Sequence, residues 1–223
     1  MKIVQICFLC CALLSSLVHL YSDEYSWMIT KLEPIFAGQI IRIFVDQNMS
    51  DGIFTMKEIG ASSDPKINDI IRILIFDFGK SEKTKTELLL RILLESVYDK
   101  SNSEKEFNNR LKSNKTGIET LFKNIDLIES YLLKSKIISL LPYYRDPNYY
   151  PVIFNEGTRL TGLLKKETAI NYELNEEIIQ LIKAMDILDL KDGTVLCLEI
   201  MDNTRDKNIR NLAKTTLKKL LDK

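Results

Sequence analysis

The stretch Pro142–Pro151, "PYYRDPNYYP", holds four of the nine tyrosines and three of the five prolines of a 223-residue chain. It is either an aromatic binding patch or the turn inside a larger unit, and the reading of the whole chain follows from which. Upstream, "YLLKSKIISLL" carries apolar residues at helical spacing, and downstream lies the apolar run "VIFNEGT". Pro147 and Pro151 suit the start of a helix, where a missing N–H costs nothing. The stretch therefore reads as an inter-helix turn containing Asp146, with the tyrosine rings packed and their hydroxyls reaching solvent. The alternative, a surface patch anchored by Tyr143 and Tyr144, stays open.

Helical periodicity extends outward from this turn. "TRDKNIRNLAKTTLKKLLDK" places Ile209, Leu212, Ala213, Thr216, Leu217, Leu220 and Leu221 on one stripe, with Thr204 as a candidate cap. Lys218, Lys219 and Lys223 crowd its last turn, in keeping with the helix dipole. "NEEIIQLIKAMDIL" repeats the theme with Asn175 as cap, and "TVLCLEIM" follows after the break "DLKDG". Upstream, "DPKINDIIRILIFDF", "KTKTELLLRILLESVY" and "GIETLFKNIDLIESYLLKSKIISLL" also predict amphipathic helices; "IIRILIFDF" alone is also compatible with a buried strand. Residues 98–116, "YDKSNSEKEFNNRLKSNKT", predict a polar excursion or loop.

Composition agrees with a helical chain: eight Gly and five Pro leave few turns among 223 residues. Lys+Arg and Asp+Glu are both 31, so no net field favours nucleic acid or an anionic membrane. The N-terminus stands apart. Lys2, the uncharged run "IVQICFLCCALLSSLVHLY" and the polar "SDEYSW" predict an export signal over residues 1–22, with the mature chain starting at Asp23. An uncleaved anchor helix is the alternative, because such a run just spans a bilayer. Cleavage would remove the sole histidine and three of the four cysteines, leaving Cys197 and no internal disulfide. The expected location is the periplasm or cell envelope, with membrane contact only if the segment is kept.

The turn-centred segment matches another part of the chain. Laying "LLKSKIISLLPYYRDPNYYPVIFNEGT" over "IIQLIKAMDILDLKDGTVLCLEIMDNT" at an offset of 46 puts Asp146 on Asp192, Tyr149 on Val195 as a core position, Val152 on Leu198 and Thr158 on Thr204. "DGIFTMKEIGASSDPKI" meets "DGTVLCLEIMDNTRDKNI" at an offset of 141, about three such periods. Asp206, Ile209, Arg210, Ala213, Leu217 and Leu220 spell "D-x-x-I-R-x-x-A-x-x-x-L-x-x-L", which resembles the second helix of a HEAT-type repeat. The resemblance covers the last unit well and residues 51–79 fairly; Asn68 and Ile71 depart from it, as does "LTGLLKKETAINYELN". It implies an all-α fold over residues 23–223, an α-solenoid of three to four degenerate helical hairpins related to HEAT and armadillo proteins. It also implies that second helices line a binding face, which here offers Asp69, Arg72, Asn211, Lys214 and Lys218, with Arg210 on a basic edge of the last helix. A charged cap for the terminal unit explains the same residues without a ligand.

The chemistry of the sequence excludes several classes. A mature chain without histidine and with one cysteine cannot build a Ser-His-Asp or Cys-His set, nor a close-spaced zinc site. "GTRLTG" has two glycines at P-loop separation, but Leu163 and Leu164 stand where Lys and Ser/Thr would hold phosphate. Asp186, Asp189 and Asp192 near a helix end read as a solvated terminus before a cation site. The expectation is a non-catalytic scaffold with no cofactor and no metal, whose partner is another protein and not nucleic acid.

Overall fold

A computed structural model describes residues 71–73, 75, 83–98, 104–166 and 171–222. The segment 1–22, Asp69 and most of residues 51–79 lie outside them. Every regular element among the described residues is helical, and residues 71–73 and 75 of "IIRILIFDF" are helix, not strand. We number the α-helices from residue 83: α1 Lys83–Tyr98, α2 Glu104–Ser113, α3 Lys115–Lys123, α4 Tyr131–Ile138, α5 Leu141–Tyr144, α6 Tyr150–Leu164, α7 Tyr172–Leu188, α8 Thr194–Asn203 and α9 Lys207–Leu221. Short 3-10 turns at Ile125–Leu127, Pro147–Tyr149 and Lys191–Gly193 join them.

The helix ends have local causes. Pro142 has no N–H for the Ile138 carbonyl, so the helix breaks over Ser139–Leu140 and resumes as the single turn α5. Asn171 starts α7 by accepting from the Glu173 and Leu174 amides, which corrects the expectation that Asn175 caps it. Asp206, not Thr204, caps α9, accepting from the Asn208 and Ile209 amides. Thr204 takes one step back and accepts from the Asp206 amide. The segment expected as a polar loop is helical over α2, because Phe107 and Leu111, one turn apart, pack on the core and stabilise a turn that composition alone does not favour.

Packing runs along the chain. α1 packs on α3; α4 on α7; α6 on both α7 and α8; α7 on α9; and α8 on α9. The core is continuous through these contacts, from Leu89 and Phe122 through Ile137, Ile153 and Ile182 to Cys197, Ile209 and Leu220. Gly157 lets α6 and α8 pack closely: a Cβ there would sit 2.5 Å from Leu196 Cδ1.

Two turns are built alike. Arg145 and Asp189 each end a helix with a left-handed backbone (φ 53° and 54°), and a 3-10 turn and then α6 or α8 follow each of them. The spacing is 44 residues (189 − 145), two fewer than the sequence match suggested. At this spacing the buried positions coincide: Lys134 with Ile178, Ile137 with Leu181, Leu141 with Met185, Ile153 with Cys197, and Glu156 with Ile200. The offset of 46 pairs turn residues by chemical identity. Asp146 is the cap of its 3-10 turn, whereas Asp192 lies within its own, so the two are not equivalent. The slip also misplaced Val195, which is 62 % exposed and no core residue.

Candidate functional site

The opening turn builds one wall of a cleft of about 700 Å³. α5 and the left-handed Arg145 supply that wall, Leu111, Lys112 and Lys115 of the α2–α3 region face it, and Ile187 at the end of α7 closes one side. Tyr143 and Ile187 are equivalent at the 44-residue spacing, and both are about half exposed inside this cleft. Tyr143 meets the Phe107 ring edge-on at 5.2 Å and stays half-exposed. The Arg145 Nε donates to the Pro142 carbonyl at 3.0 Å, so the guanidinium is tethered at the rim with its outer nitrogens turned away from that bond.

The other tyrosines of the stretch do different work. Tyr144, Tyr149 and Phe122 form a ring cluster with centroids 5.1–5.9 Å apart. The Tyr144 hydroxyl donates to Glu119 Oε1 at 2.9 Å. Burial first, then the Glu119 carboxylate, holds the Tyr144 phenol well above its ordinary range, and burial does the same to Tyr149. So the stretch is both things at once: a packed turn through Tyr144 and Tyr149, and an exposed aromatic through Tyr143.

The remaining candidates do not join the cleft. Arg210 donates from Nε to the Met201 carbonyl (3.1 Å) and from Nη2 to the Thr204 carbonyl (2.6 Å), which satisfies the C-terminal end of α8. Its role in the structure is to close the α8–α9 corner. Asn211, Lys214 and Lys218 lie on the outer surface of α9, and Arg72 is exposed on its own helix. Asp186 pairs with Lys219 at 2.7 Å and Asp189 is the left-handed helix end; among the described residues no three Cys, His, Asp or Glu side chains group as a metal site. Burial pushes the Cys197 thiol up to about 11, which makes it an inert core residue.

One cluster escaped the sequence reading altogether. Lys134 of α4 donates to both carboxylate oxygens of Glu156 of α6, each at 3.1 Å. Arg159, one turn along α6, bonds Glu156 Oε2 at 2.6 Å and Glu177 Oε1 of α7 at 2.5 Å, with its guanidinium 5.7 Å from the Tyr131 ring. Lys134, Glu156 and Glu177 are buried, and Glu177 Oε2 has no hydrogen-bond partner among the described residues. Burial pushes Glu177 up to about 7 against the opposing pull of Arg159. A perturbed carboxyl in a cleft would suggest catalysis. Glu177 instead touches no solvent, so a substrate cannot meet it unless the helices part. The network ties α4, α6 and α7 together.

No protein-family model, no curated protein and no solved structure matches this chain. Among the described residues no helix is long and apolar enough to cross a membrane.

Proposed function

We propose that the chain is a non-catalytic binding scaffold, a degenerate HEAT-like α-solenoid of three to four hairpins, exported to the periplasm or cell envelope to hold another protein. The observation that carries this reading is the cleft around Tyr143, Arg145 and Ile187, where an exposed aromatic and an exposed aliphatic residue sit beneath cations. Aromatic and Arg side chains in a concave setting are the usual anchors of protein interfaces. Support for the solenoid comes from the order of packing. α6 packs on α8 and α7 on α9, and α6 and α8 each follow a turn of the same geometry. Export rests on the N-terminal sequence, and the second reading, an inner-membrane-anchored accessory subunit, rests on the same residues left uncleaved.

The test is a photoreactive residue placed at Ile187 in cells, followed by recovery of crosslinked protein. A discrete adduct that disappears with Arg145→Glu is the expected result; a pattern unaffected by that change removes the cleft from the proposal. Mass spectrometry of the mature N-terminus separates the two locations, since a chain starting near Asp23 rules out the anchor.

A further inference from the structure

The cleft has a complement elsewhere on the same chain. α8 presents Val195 and Leu198 to solvent, 62 % and 48 % exposed. Glu199 and Asp202 lie four and seven residues from Val195 along the helix, hence on its face, and Asp192 precedes them in the 3-10 turn. Among the described residues no cation pairs with Asp192, Glu199 or Asp202. The result is a short apolar stripe with an acidic border. The cleft is its inverse: half-exposed Tyr143 and Ile187 line it together with Lys112, Lys115 and Arg145, against one lining carboxylate among the described residues, Asp146. Lys115 lies 3.9 Å from Glu119, while Lys112 and Arg145 have no carboxylate partner among the described residues.

α8 is held by α6 and α9, so its stripe stays on the outside of its own chain. From this complementarity of charge and apolar surface we infer that the cleft of one copy receives the α8 stripe of a second copy, with Val195 and Leu198 on Tyr143 and Ile187, and Glu199 and Asp202 against Lys112 and Arg145. Patch and receptor are different surfaces, so the contact is heterologous and adds copies head to tail unless the rotation between them closes a ring. Burying two aliphatic side chains supplies attraction that salt does not remove, and the charge pairs add orientation that salt weakens. This inference does not rest on export or on a foreign partner.

Sedimentation velocity of the purified chain from micromolar to hundreds of micromolar tests it. The expected result is a weight-average mass that climbs above that of one chain. The paired changes Lys112→Glu with Arg145→Glu, and separately Glu199→Lys with Asp202→Lys, should each weaken association at least about tenfold. An equimolar mixture of the two variants should restore it, because each brings the intact half that the other lacks. Circular dichroism confirms that these surface variants fold. Chains that stay monomeric at every concentration overturn the inference, and so do variants that associate as wild type or a mixture that stays apart. If the monomeric chain still gives a discrete crosslink at Ile187 to a different protein, the self-association is lost while the binding-scaffold reading stands.

Discussion

Glu156 and Ile200 occupy the same place in two helices that follow the same turn, and both are buried. So do Lys134 and Ile178 on the helices before those turns. In the first segment the interior position is an ion pair extended by Arg159 and Glu177; in the second it is aliphatic. The turn geometry is shared, so the charges are not what makes the turn possible. A buried ion pair has desolvation to overcome and is frequently no more stabilising than the apolar residues that could replace it. Its effect is on which partners are tolerated: α4, α6 and α7 have to meet in one register for four side chains to find each other. The α8–α9 pair has an aliphatic core closed at its corner by Arg210.

The comparison breaks most sharply at Lys134. Lys134→Ile strands Glu156 with Arg159 alone and should cost about 3–5 kcal/mol in urea unfolding. Adding Glu156→Ile, which copies Ile178 and Ile200 into the first segment, should return most of that loss. A single variant as stable as wild type would mean that the network contributes nothing.

Glu177 gives the pH version. Its carboxyl is raised above the unfolded value of 4.5 to about 7, so the stability it contributes is complete below about 4.5 and is lost as pH rises through 7. Between those limits the loss is up to about 3 kcal/mol. Glu177→Gln should flatten that slope, measured as the difference in unfolding midpoint between variant and wild type at pH 5 and pH 8. The opposite sign, with wild type gaining on the variant toward pH 8, would refute the assignment.

Gly157 probes the layer between the two segments. Gly157→Leu drives a side chain into Leu196 and should cost about 1–3 kcal/mol, seen as a lower thermal midpoint. The smallest effect distinguishes two residues that look alike in sequence. Arg210→Ala removes two hydrogen bonds to carbonyls and should cost about 1.5 kcal/mol, whereas Lys214→Ala on the same helix should stay within about 0.5.

Much of the helical content was legible because the apolar spacing is a local signal. α9, α7 and the "YYRDPNYYP" turn follow from periodicity and proline placement. α2 was not legible, since Phe107 and Leu111 are its only large apolar residues with a described burial and their value depends on what they meet. Of the candidate site, Tyr143 and Tyr144 could be named from the sequence but not told apart. One is half-exposed in a cleft, and the other has its hydroxyl on Glu119. Arg210 was named for a basic surface and closes a corner instead. The residues that complete the cleft, Lys112 and Ile187, carried no signal, because nothing local links α2 to the end of α7.

The sequence by itself determined that this chain forms helices and that a turn falls at Pro142–Pro151, both of which are properties of neighbouring residues. Tertiary structure decided the two-residue correction in register, the burial of Lys134, Glu156 and Glu177, and the meeting of Tyr143 with Ile187. A polar residue at a helical core position looks like an interruption until the opposite charge arrives from another helix, and that arrival is set by packing across tens of residues.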